Sequence, residues 1–121
     1  MTAEELKART KKFAIDGAKL CKVLPNQIPT LFYVRQIIRS SSSVGANYRA
    51  PCRAKSTADF INKLKIVEKE ADETVFFLEL ILEFEINFES EIKKLIKEGN
   101  EILSICVASI NTARKKNQKK S

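Results

Sequence analysis

A chain of 121 residues with 44% hydrophobic side chains has the length and composition of one globular domain. It has three glycines and three prolines, and its β-branched and aromatic residues do not alternate along the chain, so we predict an all-α fold rather than a sandwich or barrel. The net charge of +7 indicates a polyanionic partner or a lysine-rich solvated surface. The absence of histidine excludes both catalysis by an imidazole group and metal binding by one.

The first helix is predicted over residues 4–24. Leu6, Phe13 and Leu20 recur every seven residues and therefore share one helical face. The prolines of 25-PNQIP-29 end this helix.

A second helix is predicted over residues 30–49, with Thr30 as its N-cap and Pro51 just beyond its end. Its predicted buried face comprises Leu31, Val34, Ile38, Ser41 or Ser42, and Gly45. The small residues of 40-SSSSVGA-46 are predicted to let this helix approach its neighbours closely. A serine without a neighbouring base is a poor nucleophile, so this segment predicts packing rather than catalysis.

The second half of the chain predicts a long helix over 56–85 and another over 88–113. The long helix begins with 56-STAD-59, which has the spacing of a capping box. The alternation in 84-FEINFE-89 is typical of a strand, but a lone strand would have no partner, so we predict a helix break there. Residues 114–121 are predicted to form a basic, disordered tail.

Four amphipathic helices with short links predict one antiparallel up-down four-helix bundle over residues 1–113. In this topology, the starts of the first and third helices meet the ends of the second and fourth. That end collects Lys7, Arg9, Lys11, Lys12, Arg49, Arg53, Lys55, Lys63 and the cations of 114–120. The opposite end collects Glu79, Glu83, Glu85, Glu89 and Glu91. The sequence therefore predicts an electrostatic dipole whose basic end meets a polyanion, with a solubilising surface as the alternative.

The basic end supplies most of the candidate nucleic-acid-binding residues. They are Arg39, Arg49, Arg53, Lys55, Lys63, Arg114, Lys115 and Lys116. Arginine favours this interpretation because its planar guanidinium matches phosphate geometry. No stacking platform or RNA-binding motif is evident, so recognition is predicted to be mainly electrostatic.

The third helix carries two opposed apolar stripes. One faces the predicted core, and the other comprises Ile66, Phe77, Leu80 and Phe84. A helix at the periphery of a bundle buries one face, so the second stripe predicts an oligomer interface. Burial by neighbouring helices of the same chain is the alternative.

The chain shows no pattern that indicates catalysis, a cofactor or a membrane. Cys21 and Cys106 fall at apolar helical positions without a CxxC motif, which predicts free thiols and a reducing, cytoplasmic location. The start of the chain has no apolar h-region, so no secretory signal is expected, and the longest apolar run, 74-TVFFLELIL-82, is too short to span a bilayer. Without histidine, a metal-ligand spacing or a glycine-rich phosphate loop, we expect no enzyme activity, no catalytic residue, no metal and no cofactor.

Residues 36–82 carry a family resemblance. The pattern is a helix ending in small residues, a basic turn, Ser-x-x-Asp-Phe and a long helix with an acidic second half. It is carried by Ser43, Val44, Asn47, Arg53, Ser56, Asp59, Phe60 and Glu79. This pattern resembles the four helix bundle proteins, also called 23S ribosomal RNA intervening-sequence proteins. The chain has 47-NYRAP-51 where many members have Asn-Ile-Ala-Glu-Gly, so any role of that acid or glycine does not carry over.

The resemblance implies an antiparallel four-helix bundle assembled as a homopentameric barrel. It also implies an association with RNA, since some relatives are encoded inside ribosomal RNA and others accompany a reverse transcriptase in diversity-generating retroelements. We therefore expect a non-catalytic, oligomeric protein that binds nucleic acid, with RNA preferred. The alternative is a protein-interaction adaptor, for example an accessory subunit of a polymerase.

Overall fold

The computed structural model describes residues 1–49 and 51–120, with the side chains at 52, 119 and 120 left out. The described residues contain four α-helices and no strand, so the all-α prediction is confirmed. The helices are α1 (Ala3–Val23), α2 (Thr30–Tyr48), α3 (Thr57–Leu82) and α4 (Glu89–Lys120). Short 3₁₀ turns at Pro51–Arg53 and Ile86–Phe88 precede α3 and α4. Each helix packs against the next, and α1 meets α4 over a shorter stretch, which closes the bundle.

The starts of α1 and α3 follow the rules of helix capping. Thr2 caps α1 by accepting a hydrogen bond from the Glu5 N–H at 3.1 Å. Ser56 caps α3 in the same way, accepting from the Asp59 N–H at 3.1 Å. The prediction of a cap at 56-STAD-59 is therefore confirmed.

Thr30 was predicted as the cap of α2, and this prediction is wrong. Pro29 occupies the cap position with helical backbone angles, so Thr30 is already the first helical residue. The buried Thr30 hydroxyl instead donates to Glu85 Oε1 at 2.7 Å, which ties the start of α2 to the segment after α3. The Ile28–Pro29 peptide bond before it is cis.

The small residues of α2 pack closely on both sides, as predicted. Ser40 faces α3, where Thr74 Oγ1 donates to Ser40 Oγ at 2.7 Å, and Ser40 Oγ donates to the Gln36 carbonyl at 2.8 Å. Ser41 faces α1, and a Cβ added to Gly17 would lie 3.0 Å from Ser41 Oγ. The buried face of α2 therefore runs through Ser40 and Ser41, whereas Ile38, which was predicted to be buried, is exposed.

Helix α3 supplies the centre of the core. Its buried apolar residues are Leu64, Val67, Ala71, Val75, Leu78 and Ile81. A Cβ added to Gly99 on α4 would lie 2.7 Å from Val75 Cγ2 and 3.3 Å from Phe13 Cζ. Gly99 thus lets α4 approach both α3 and α1 closely.

The prediction of a disordered tail over 114–121 is wrong for residues 114–120. Helix α4 continues without a break to Lys120, while Ser121 lies outside the described residues. The segment 113-ARKKNQKK-120 contains neither glycine nor proline, and seven of its eight residues are alanine, arginine, lysine or glutamine, which favour helix. Cations near the last turn also interact favourably with the carbonyl end of the helix dipole.

Candidate nucleic-acid interface

Six exposed cations lie at the end of the bundle where α2 and α4 finish and α3 begins. We call this group the cationic end; it comprises Arg49, Arg53, Lys55, Arg114, Lys115 and Lys116. Among the described residues, none of these six side chains forms an ion pair with a carboxylate. Their positive charge therefore faces solvent without a partner from the same chain.

Two of the predicted site residues have carboxylate partners instead. Lys63 Nζ lies 2.7 Å from Asp59 Oδ2, one turn away on α3, and this hydrogen bond lowers the pKa of Asp59. Arg39 lies ten residues before Arg49 on α2, which is about 15 Å along the helix axis. Its guanidinium donates to Glu70 on α3 at 3.3 Å and also to Glu73, so Arg39 links α2 to α3 away from the cationic end.

Arg9 was expected among the exposed cations of the basic end, but it is a link between helices. Its guanidinium donates two hydrogen bonds of 2.6 Å to the carboxylate of Glu98 on α4, and a further one to Glu101. The hydrogen bond from Arg9 is the main reason that the pKa of Glu98 is lowered. Arg9 therefore links α1 to α4 where the two helices meet.

A groove of about 750 Å³ opens at the cationic end between the start of α3 and the last turns of α4. We call it the terminal groove. Partly buried Phe60 and Ile105 line it together with the exposed Lys55 and Lys116. The sequence did not predict this groove. The signal available in the sequence was the one-turn spacing of Ala108, Thr112 and Lys116, which places these residues on one face of α4.

The opposite half of α2 and α3 carries a group of rings that we call the aromatic cluster. Its members are Phe32, Tyr33, Phe76, Phe77 and Phe84. Neighbouring ring centroids lie between 5.4 and 6.4 Å apart, within the range of favourable aromatic pairs. Phe32, Phe76 and Phe84 are each more than half exposed. Such a contiguous exposed apolar surface is typical of an interface.

The predicted oligomer-interface residues divide into two kinds. Ile66 and Phe84 are exposed, whereas Phe77 and Leu80 are partly buried against their own chain. The prediction missed Phe32 on α2 and Phe76 on α3, because it followed a single stripe of one helix. The carboxylates of Glu79 and Glu83 are exposed near this end of α3, while Glu85 accepts the bond from Thr30.

The sequence profile of the 23S rRNA-intervening sequence protein family matches residues 4–108. The chain belongs to this family. It is also similar to a protein of unknown function from the S23 ribosomal protein family of Bacteroides thetaiotaomicron, whose crystal structure has been solved. The two share 35% identity and a TM-score of 0.82, over 92% of this chain and 99% of that chain. No curated protein matches the chain.

This family match confirms the predicted resemblance and separates two parts of the cationic end. Arg49, Arg53 and Lys55 lie inside the matched region, whereas Arg114, Lys115 and Lys116 lie beyond residue 108. The family match therefore spans the α2–α3 half of the cationic end and stops before the α4 half.

The two described thiols of this family member are buried. Burial raises the pKa of Cys21 and of Cys106 to about 11, so both are protonated at neutral pH and act as small apolar side chains. The described residues contain no group of three metal-ligating side chains. Within the same residues, no helix is both long and apolar enough to cross a membrane.

Proposed function

We propose that this chain is a non-catalytic, self-associating protein that binds RNA through its cationic end. The observation that carries the proposal is the contrast between paired and unpaired arginines. Arg9 and Arg39 are held by carboxylates, whereas Arg49 and Arg53 are exposed and unpaired among the described residues. An arginine whose guanidinium has no carboxylate acceptor in its own chain is suited to bind a phosphate group.

RNA is preferred over DNA as the polyanion because the family is named for an intervening sequence of ribosomal RNA. The non-catalytic part of the proposal rests on the absence of histidine from the sequence and on the raised pKa of both described thiols.

Self-association is proposed through the aromatic cluster. Phe32, Phe76 and Phe84 expose ring surface that a second copy would bury, and ring burial contributes strongly to interface stability. A homopentameric barrel is the assembly that the resemblance implies. Several copies would present several cationic ends to one RNA, which raises the overall affinity through multivalency.

The test is a fluorescence-anisotropy titration of a structured RNA across a salt series. The wild-type protein is expected to lose affinity steeply as salt rises from about 50 to about 200 mM, because phosphate contacts release counterions. The variant Arg49→Glu/Arg53→Glu/Lys55→Glu is expected to bind about 100-fold more weakly at the lower salt concentration.

A matched control is Lys19→Glu/Lys22→Glu/Lys94→Glu, which changes three exposed cations away from the cationic end and lowers the net charge equally. This control is expected to retain most of the wild-type affinity. If both triple variants weaken binding equally, net charge rather than the cationic end attracts RNA, and the proposal fails.

A protein-interaction adaptor is the second candidate, and the exposed aromatic cluster is the observation that favours it. In this case the rings or the cationic end would contact another protein, for example a polymerase. A specific protein that remains bound after nuclease treatment, together with no RNA binding by the purified chain, would favour the adaptor.

A further inference from the structure

The terminal groove differs in the charge of its lining from a second groove, which lies between α1 and α4. Lys55 and Lys116 line it, and none of its described lining residues is acidic. The second groove, of about 580 Å³, is instead lined by Asp16, Glu91 and Glu98 as well as by lysines. The terminal groove is therefore suited to an anion, whereas the α1–α4 groove is not.

Half of the residues that line the terminal groove, seven of fourteen, are apolar. Phe60, Ile105 and Ala108 are among them, and Phe60 and Ile105 are partly buried. An inorganic anion would gain nothing from such a surface. The groove thus fits a ligand that carries a flat apolar group next to a negative charge.

A nucleotide of an unpaired RNA strand has this chemistry. Its base has an apolar face that stacks on aromatic rings, and its phosphate carries the charge. The volume of about 750 Å³ lies within the range of ordinary small-ligand sites. Thr57, Ser109 and Asn117 also line the groove and offer hydroxyl and amide groups to base edges or to a ribose hydroxyl.

We infer that the terminal groove binds an unpaired nucleotide of RNA, with the base against Phe60 and Ile105 and the phosphate near Lys55 and Lys116. This inference rests on the proposed RNA binding and names the form of RNA that is bound. Bases stacked inside a duplex are not free to enter the groove, so a duplex contacts only the exposed cations. The protein therefore prefers single-stranded RNA, or a loop, over a duplex.

The test compares labelled oligo-uridine with an RNA duplex of the same length by fluorescence anisotropy at one salt concentration. The wild-type protein is expected to bind the single strand about tenfold more tightly, because one stacked base contributes an effect of this size. The variant Ala108→Leu/Thr112→Leu fills the groove from two exposed positions one turn apart on α4. It is expected to lose this preference and keep the wild-type affinity for the duplex.

The matched control is Asn100→Leu/Ser104→Leu, which makes the same kind of change with the same spacing at exposed positions outside the terminal groove. It is expected to keep the preference for the single strand. Thermal unfolding monitored by circular dichroism verifies that both variants fold. A second measurement needs no variant: oligonucleotides containing 4-thiouridine are expected to cross-link to peptides within 51–60 and 105–117.

Equal affinity for both RNAs, unchanged when the groove is filled, overturns this inference and leaves the proposed function intact. Failure of the wild-type protein to bind either RNA overturns both. Cross-links found only outside those two segments also overturn the inference that the terminal groove binds a nucleotide. Tighter binding of an acidic amphipathic peptide, lost when the groove is filled, would assign the groove to a protein partner instead.

Discussion

The two ends of the bundle differ in what they expose. The cationic end presents six cations that have no carboxylate partner among the described residues, while the other end presents the aromatic cluster beside the carboxylates of Glu79 and Glu83. Arg49 and Tyr33 lie 16 residues apart on or next to α2, a separation of about 24 Å along the axis. One pair of helices, α2 and α3, therefore offers two surfaces of opposite chemistry at its two ends.

The predicted basic end contains both arginines that pair with carboxylates and arginines that do not. Arg9 and Arg49 belong to the same predicted basic end, yet one links two helices and the other faces solvent. A count of charges at one end therefore overestimates the surface available to a polyanion. An unpaired cation contacts phosphate without first losing a carboxylate partner.

The largest effect is expected on the oligomeric state, from changes that place charge in the aromatic cluster. The variant Phe76→Glu/Phe84→Glu places charge on the proposed interface, so we expect the oligomer to dissociate to a monomer, as measured by light scattering. A control with Val23→Glu/Val107→Glu introduces the same charge at exposed apolar positions elsewhere and is expected to leave the mass unchanged. A wild-type protein that is already monomeric at high concentration would contradict the proposed interface.

Single arginine changes are expected to separate stability from RNA binding. Arg9→Gln removes hydrogen bonds to two carboxylates and is expected to lower the free energy of unfolding by about 1–2 kcal/mol. Arg53→Gln is expected to change it by less than about 0.5 kcal/mol, because that side chain is exposed and unpaired among the described residues. Urea unfolding and RNA titration of both variants measure the two effects. The distinction between paired and unpaired arginines fails if Arg9→Gln weakens RNA binding more than Arg53→Gln does.

The smallest effect is expected in the acid range. Arg9 holds the pKa of Glu98 below its ordinary value. The stabilisation that this ion pair gives the folded state is therefore fully present above the unfolded pKa of about 4.3, and it is lost as the pH falls through the lower folded pKa. The free energy of unfolding is expected to fall between about pH 5 and pH 3, with a shallower fall in Arg9→Gln than in Arg53→Gln. Urea unfolding at several pH values checks this, and identical slopes in the two variants would rule out the Arg9–Glu98 contribution.

Most of the fold could be predicted because local patterns determine it. The seven-residue spacing of Leu6, Phe13 and Leu20 and the cap at Ser56 are signals contained within a few turns of one helix. The cap at Thr30 failed for the opposite reason. Its partner, Glu85, is 55 residues away and becomes a neighbour only in the folded bundle.

The candidate site was predicted less completely than the fold. Arg49, Arg53 and Lys55 follow from their position in the turn before α3, and the structure brings them to one end with the cations of α4. The pairing of Arg39 with Glu70 and Glu73 involves another helix and depends on rotations that the sequence does not display. The terminal groove was missed because it requires α4 to remain helical beyond residue 113, where the prediction ended the bundle.

The uninterrupted course of α4 has a consequence for how this chain tolerates changes in length. Gly99 fixes one point of the helix against Val75 and Phe13, and no loop separates it from Lys116. The direction in which Lys116 points is therefore set by helical phase. A one-residue insertion between them turns everything beyond it by about 100°, away from the terminal groove, whereas seven inserted residues return the side chains to within about 20° of their original direction. Seven inserted residues also move Lys116 by about 10 Å along the helix axis, so an insertion between Gly99 and Lys116 that keeps the direction of this side chain still displaces it from the terminal groove.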